Sequence, residues 1–253
     1  MSSFALRMIA IVTMLIDHAA YVFYRDLPYE VYLSMRLIGR LAMPLFCFLI
    51  AEGLFHTRNK RAYLLRMLLF ALVSEIPFDL AFSGKTADWE SQNVFFTLFL
   101  GLLCITLVDF FAADRIWKPW VSQGLALLSI LACAGTAMLL KTDYNAFGVF
   151  FIFAFYLGRG RMRLLAPAFS LGVLALAAYI YLSYGDMDFA LLVLAALGAL
   201  VLIWRYNGQR GGPKDKVLED GRHVRTPLGA LVQGGFYLFY PVHLLLLWSL
   251  AAQ

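Results

Sequence analysis

The chain alternates between long apolar segments and short polar connections. Nine segments are long enough, or nearly long enough, to cross a bilayer as helices of about 20 residues, and none shows the two-residue alternation of a half-buried strand. The pattern therefore predicts an all-α, polytopic integral membrane helix bundle that forms a single domain over residues 1–253. The predicted spans are 4–24, 37–56, 62–82, 93–112, 121–140, 145–158, 163–183, 187–204 and 228–249.

The polar connections differ in charge, and this difference predicts the orientation of the bundle. Lys and Arg are concentrated in alternate connections, which are 57–61, 114–118, 159–163 and 205–225. Positively charged loops stay in the cytoplasm, so the N-terminus is predicted to be cytoplasmic and the C-terminus to lie outside the inner (plasma) membrane. The stretch 205–227 is rich in Gly and charge, which predicts a flexible cytoplasmic loop.

Two arginines depart from this charge pattern. Arg25 and Arg36 fall on the predicted outer side, where few basic residues are expected. Asp26 and Glu30 share their connection, and Asp79 ends the third span on the same side. We therefore expect these carboxylates to pair with the two arginines.

Composition supports the membrane assignment and narrows the partners. The chain is 62% hydrophobic and 15% charged, whereas soluble domains are about 45–50% apolar and about 25% charged. Its net charge of +5 comes from short loops between apolar segments, so no nucleic-acid partner is predicted. Cys47, Cys104 and Cys133 lie inside apolar segments without the spacing of metal ligands, so no metal site is predicted.

Ionisable side chains inside the spans indicate a functional site, because each is costly at membrane depth. Three pairs are four residues apart and so share a helix face: Arg36 with Arg40, Glu52 with His56, and Glu75 with Asp79. His18 and His243 stand on the first and last spans.

Arg7 and His18 suggest a specific ligand. They are eleven positions apart, which on an α-helix brings them to within about 20° of one face and about 16 Å apart along the axis. This places a guanidinium near the cytoplasm and an imidazole near mid-membrane, which suits acetyl-CoA with its phosphates at one end and its thioester at the other. The phosphates would meet basic residues, and His18 would act as general base. The candidate phosphate ligands are Arg7, Arg58, Lys60, Arg61 and Arg66.

Each of these residues also has a structural interpretation. His18 and His243 can be core histidines hydrogen-bonded to a neighbouring helix, and Arg7 can be a membrane-surface anchor. Glu52 and His56 can cap the inner end of the second span. A buried ion-pair network that ties Arg36 and Arg40 to Glu75 and Asp79 is the remaining structural alternative. The functional alternative is substrate binding, for which the candidates are Arg36, Arg40, Glu52, His56, Glu75, Asp79 and His243.

Several segments resemble the TraX family of conjugal-transfer membrane proteins. They are "MIAIVTMLIDHAAYVFY", "RLIGRLAMPLFCFLIAEGLFHTRNKRAYLLRMLLFALVSEIPFDLAF", "NVFFTLFLGLL", "TDYNAFGVFFIFAFY" and "FYLFYPVHLLLL". The family is named for an acetylase of the pilin amino terminus, and it is distantly similar to family-3 membrane acyltransferases that O-acetylate surface glycans. Those enzymes carry an Arg, ten residues and a His on the first helix, the spacing of Arg7 and His18.

The resemblance implies a membrane acetyltransferase whose catalytic centre is His18 with Asp17. Acetyl-CoA would be the co-substrate, and a pilin-like protein or a surface glycan would be the acceptor. The family pattern also includes Gly39, Arg40, Glu52, His56, Arg58, Arg66, Glu75, Asp79 and His243. Where the family has glycine after "TDY", this chain has Asn145. Asp17 lies about 100° round the helix from His18, so we expect it to pair with a neighbouring helix.

Two other functions compete with acetyl transfer. A secondary transporter would also carry ionisable groups in its spans, although no internal repeat is found and the polar residues crowd the first three helices. A non-catalytic membrane subunit of a pilus or secretion assembly is the other alternative. Only the acetyltransferase should turn over acetyl-CoA.

The predicted orientation can be tested with reporter fusions. A topology reporter fused after Gln253 should be active outside, and one inserted in 208–216 should be active inside, because the basic loops stay in the cytoplasm. The opposite activity at either site would contradict the assignment.

Overall fold

The computed structural model describes residues 1–113, 117–213, 216–217, 223–224 and 226–251. The helices are α1 Ser3–Val22, α2 Tyr29–Gly39, α3 Ala42–His56, α4 Lys60–Ser83, α5 Val94–Ala113, α6 Pro119–Leu139, α7 Asn145–Leu157, α8 Met162–Tyr184, α9 Met187–Val193, α10 Ala199–Trp204 and α11 Pro227–Ala251. A 3₁₀ segment, Leu194–Gly198, joins α9 to α10. Two-residue antiparallel strands, β1 Lys216–Val217 and β2 His223–Val224, are the only strands among these residues.

The all-α membrane bundle predicted from the sequence is confirmed. Seven stretches of the described residues are helical, long and apolar enough to cross a membrane, counting α2–α3 and α9–α10 as one stretch each. Two further helices are not among these seven stretches. The helix α7 is shorter, and charged residues such as Arg66 and Asp79 interrupt the apolar sequence of α4. Each of the nine predicted spans thus corresponds to a helix or to a pair of consecutive helices.

The second span differs from its prediction. It was expected to begin at residue 37, but the helix begins at Tyr29 and is broken between α2 and α3 at Arg40 and Leu41. Pro44 explains the break, because it lacks an N–H and its ring would clash with the carbonyl of Arg40, four residues earlier. In the first turn of a new helix, where Pro44 lies, proline is tolerated. On either side of the break, α2 and α3 both contact α1.

Close helix contacts in the core depend on small residues. A Cβ on Gly101 of α5 would lie 2.2 Å from Ile152 Cδ1 of α7, and a Cβ on Gly148 of α7 would lie 2.2 Å from Thr97 Cγ2 of α5. Small residues at these positions let helix backbones approach closely, as is usual where helices pack within a membrane. The helices α3, α5 and α7 therefore form a tightly packed centre.

Part of the stretch predicted to be a flexible loop is ordered against the N-terminus of α1. The Ser3 N–H donates to the Gln209 carbonyl at 2.8 Å, and the Phe4 N–H donates to the Arg210 carbonyl at 2.9 Å. The first N–H groups of any helix lack partners within it, so residues 207–213 cap α1. The other described parts of this stretch are residues 205–206, β1, β2 and residues 226–227. Residues 214–215, 218–222 and 225, and residues 114–116 of the basic connection 114–118, lie outside the described residues.

Candidate functional site

The strongest electrostatic feature of the bundle is centred on Asp17 in α1. Arg36 Nη1 lies 2.9 Å from Asp17 Oδ2, and Arg40 Nη2 donates to both carboxylate oxygens at 2.6 Å. The arginines are buried, with 8% and 7% of their surfaces exposed. A Cβ on Gly39 would lie 2.2 Å from Asp17 Oδ1, so only glycine allows this approach of α2 to α1. The expected pairing of Asp17 with another helix is therefore observed.

This cluster corrects two expectations about the arginines. Arg36 pairs with Asp17 and not with Asp26, Glu30 or Asp79, and Arg25 Nε donates to the Tyr24 hydroxyl at 2.8 Å. The alternative network of Arg36 and Arg40 with Glu75 and Asp79 is likewise not formed. The sequence placed all these carboxylates near the same end of the bundle but carried no information about which of them faces α2.

Glu75 and Asp79 instead hold the connection between α4 and α5. The Asn93 side-chain amide donates to Glu75 Oε2 and, at 2.8 Å, to the Ala71 carbonyl. The Asp88 N–H donates to Asp79 Oδ2 at 2.8 Å. Each carboxylate holds the connection through one oxygen, so these contacts are those of loop anchors. The other oxygens, Glu75 Oε1 and Asp79 Oδ1, are buried without a hydrogen-bond partner among the described residues.

A strained turn between α6 and α7 covers the Asp17 cluster. Tyr144 has φ of +62° and its hydroxyl accepts a hydrogen bond from Arg40 Nη1 at 3.3 Å. Asn145 follows with φ of +44°. Glycine adopts such left-handed conformations without steric cost, and asparagine tolerates them better than most residues. This explains why glycine suits the position after "TDY" and why Asn145 can replace it.

Asp143 in the same turn is held in an unfavourable environment. Burial raises its pKa to about 6, against the opposing effect of the Arg40 guanidinium. Its backbone is fixed by hydrogen bonds with Gln92 and Thr97. A carboxylate is therefore kept beside the Asp17 cluster at a cost in electrostatic energy.

His18 lies one turn before the end of α1 and contacts the last helix. Its Nδ1 is 2.8 Å from His243 Nε2, and His243 Nδ1 is 2.8 Å from the Phe239 carbonyl oxygen. The rings of Phe82 and Tyr240 meet the His18 ring edge-on at centroid distances of 5.3 and 5.9 Å. The imidazole was expected near mid-membrane, but only four residues separate it from the end of α1 at Val22, which is about 6 Å along the axis.

A cavity of about 800 Å³ opens at the opposite end of α1. Three of the candidate phosphate ligands, Arg7, Arg58 and Arg66, line it together with Arg210. Its lining continues past Ile11 to Met14 of α1 and Tyr240 of α11, the ring that contacts His18. Such a volume lies within the usual range of about 300–1,000 Å³ for small-molecule sites.

The structure does not bring every predicted phosphate ligand to this cavity. Lys60 forms an ion pair with Asp109 on α5, and neither Lys60 nor Arg61 belongs to the cavity lining. Both residues lie at the start of α4, where Arg61 is exposed. Helix geometry separates them from Arg66, because spacings of six and five residues place them about 120° and about 140° round the helix from it.

Glu52 organises the rim of the cavity. It pairs with His56 at 3.2 Å, as its spacing predicted, and accepts hydrogen bonds from Arg159 Nε at 2.6 Å and from the Tyr206 hydroxyl at 3.3 Å. Arg159 and Tyr206 were not identified from the sequence, because both belong to connections far along the chain. The basic character of 159–163 was the only signal, and it was assigned to topology.

The fold and site define an integral membrane protein with a basic cavity at one end and two histidines in contact with each other towards the other. Residues 2–251 match the family described as TraX protein, and the chain belongs to this family. A related protein from Dichelobacter nodosus, "Probable fimbrial assembly protein FimC, serogroup H1", is 32% identical over 261 residues, covering 98% of this chain and 95% of the relative. No solved structure matches the chain significantly.

The Asp17 cluster should be essential for stability. Asp17→Asn leaves two buried guanidinium groups without a counter-charge, which is expected to cost about 3–5 kcal/mol. A matched control is Glu90→Gln, which removes the exposed ion pair with Lys141 and should cost about 1 kcal/mol or less. The measurement is the thermal unfolding midpoint of both variants in detergent. Equal effects would show that the buried cluster contributes no more than a surface pair.

Asp143 should make stability pH-dependent. Its pKa in the folded protein, about 6, is above the ordinary value of about 3.9, so the folded state binds the proton more tightly than the unfolded chain. Stability from this group is therefore fully present below about pH 4 and is lost as the pH rises through about 6. Asp143→Asn should remove that loss and so raise the free energy of unfolding above about pH 6 by about 1–2 kcal/mol after solvent screening.

The test of Asp143 compares unfolding midpoints at two pH values. Asp143→Asn should match the wild type near pH 4.5 and exceed it near pH 7.5. Asp188→Asn, which removes an exposed carboxylate of α9, should show no such difference between the two pH values. A pH-independent offset for Asp143→Asn would mean that the charge of Asp143 is not the cause.

Proposed function

We propose that this protein is a membrane-embedded acetyltransferase that moves an acetyl group from cytoplasmic acetyl-CoA to an amine or hydroxyl acceptor at the outer side of the inner membrane. The observation that carries the proposal is the cavity of about 800 Å³, which connects a basic mouth to the neighbourhood of His18. Its arginines and its depth along α1 suit a ligand that is anionic at one end and reactive at the other.

The mouth of the cavity fits the phosphates of coenzyme A. Among the described residues, no carboxylate forms an ion pair with Arg7, Arg58 or Arg66. Arg7 stacks on the Phe236 ring at 4.8 Å, and Arg66 Nε is buried without a hydrogen-bond partner. Guanidinium groups bind phosphate through several donors at once, so these three residues are suitable ligands for it.

The deep end of the cavity fits the chemistry of acyl transfer. Met14 and Tyr240 form this end, and Tyr240 lies against His18. In the proposed reaction the acceptor gives its proton to the His18 imidazole as it attacks the thioester carbonyl. The carbon–sulfur bond breaks, and the thiolate of coenzyme A takes the proton back from His18. Neutral imidazole is the usual general base for such a step.

The relatives bear on the acceptor. The related protein is named for fimbrial assembly, and the TraX family is one of conjugal-transfer proteins, so we infer that this chain acts on or with a pilus. A pilin-like protein is then the favoured acceptor, and a cell-surface glycan is the alternative. The same name also fits a non-catalytic membrane subunit of a pilus assembly machine. Turnover of acetyl-CoA by the purified protein separates the two functions.

Arg7 should contribute to binding more than to chemistry. Arg7→Ala removes a phosphate ligand that acts equally in the ground state and the transition state, so the KM for acetyl-CoA should rise about tenfold or more while kcat changes little. The control is Arg163→Ala, an exposed arginine in the first turn of α8 that does not line the cavity. If both variants leave KM unchanged, Arg7 is only a membrane-surface anchor.

His18 should be required for turnover. General-base catalysis contributes about 10²–10⁴-fold, so His18→Ala and His18→Gln should both lose most acetyl transfer. Stabilisation of the protein by acetyl-CoA should persist in both variants, which controls for folding and for an intact cavity. A structural histidine would instead tolerate Gln, which retains hydrogen bonding. Near-normal transfer by a well-folded His18→Gln protein would refute the mechanism.

A further inference from the structure

We propose that His243 is a positioning residue that fixes the tautomer of His18. His18 Nε2 is then the nitrogen that takes the proton from the acceptor amine or hydroxyl. The assignment of the tautomer stands on the geometry of α1 and α11 alone. Its consequence for catalysis rests on the acetyltransferase function proposed above. The proposal gives His243 a role other than substrate binding or helix packing.

The two imidazole rings lie in one plane and point their nitrogens at each other. Their planes differ by only 7°, and their centroids are 5.1 Å apart. The distance from His18 Nδ1 to His243 Nε2 is only 2.8 Å. Nitrogens that are this much closer than the centroids must both lie between the rings. The contact is therefore an in-plane hydrogen bond and not a face-to-face stack.

The direction of this hydrogen bond follows from the next contact in the chain. His243 Nδ1 is 2.8 Å from the carbonyl oxygen of Phe239, and a carbonyl can only accept. His243 must therefore carry its proton on Nδ1, which leaves a lone pair on Nε2 in the neutral ring. His18 must in turn donate from Nδ1. The lone pair of His18 is then on Nε2, on the side of the ring away from His243.

The surroundings of His243 hold this arrangement in place. Only 4% of its surface is exposed. The Phe239 ring stacks on it at 4.8 Å, and Tyr240 meets it edge-on at 5.6 Å. A side chain that contacts two aromatic rings and is hydrogen-bonded at both nitrogens has one orientation, so His18 meets an acceptor at a fixed position.

The neighbouring carboxylate cannot serve this purpose. Asp17 is engaged by Arg36 and Arg40 through both of its oxygens, and no contact joins it to His18 within the described residues. A carboxylate orients the catalytic histidine in many hydrolases; here a second, neutral histidine would do so. When His18 Nε2 takes the proton of the acceptor, the Nδ1–H bond to His243 steadies the resulting imidazolium.

Nitrogen NMR of the full-length protein tests the tautomers without relying on activity. The chain has four histidines, so ¹⁵N-histidine labelling gives few signals, which His56→Gln and His223→Gln assign. In the wild type, His18 and His243 should both be protonated on Nδ1 and bare on Nε2. Protonation of His18 on Nε2 in the resting wild-type protein would overturn the proposal.

Two substitutions of His243 separate positioning from packing. His243→Phe keeps a planar ring but removes the acceptor, so His18 should lose its preference for protonation on Nδ1. His243→Gln can present Oε1 near the former Nε2 position, so the preference should be retained. In turnover assays the Phe variant should lose about 10–100-fold in kcat with an unchanged KM for acetyl-CoA, as is typical when a hydrogen-bonded support of a reactive group is removed.

The Gln variant should stay within a few-fold of wild-type kcat. Equal kcat values for the Phe and Gln variants, or an unaltered His18 tautomer in the Phe variant, would reduce His243 to a packing residue and overturn the proposal. A wild-type protein that shows the predicted tautomers but no turnover of acetyl-CoA would refute the proposed function. That result would leave the tautomer assignment supported by the NMR spectra.

Discussion

Burial of one carboxylate between two guanidinium groups constrains the half of this bundle in which α1 ends. Charges removed from water require partners at short distance, and Asp17 meets this need for both Arg36 and Arg40. The contact requires Gly39 at the crossing of α1 and α2 and a helix break after it, which Pro44 provides. The ion pairs fix α1 relative to α2, and with it the position of the neighbouring His18.

The connections between helices add a second level of constraint. Glu75 and Asp79 fix the α4–α5 connection, while the left-handed residues Tyr144 and Asn145 shape the α6–α7 turn over the ion pairs. Strained backbone conformations persist where the surrounding contacts over-determine them. The Tyr144 hydroxyl on Arg40 is one such contact. These polar groups act as structural support around the proposed reaction centre.

The two ends of α1 have different chemistry, and the helix connects them. At one end, residues 207–213 cap the helix, and Arg7 lines a cavity with basic walls. About three turns later His18 meets His243 of the last helix. The cavity that Arg7 lines extends along α1 to Met14 and to Tyr240 of α11, whose ring contacts His18, while His18 itself does not line it.

Sequence alone determined the helical membrane architecture, because about 20 apolar residues and the charge of the loops are local properties. It also identified pairs within one helix, such as Glu52 with His56, since a spacing of four fixes a shared face. Partners on different helices were decided only by tertiary structure, because helix rotation and the break after α2 set which side chains meet. Asp17 therefore pairs with Arg36 and Arg40, for which the sequence had indicated other carboxylates. His18 contacts His243, which is 225 positions away along the chain.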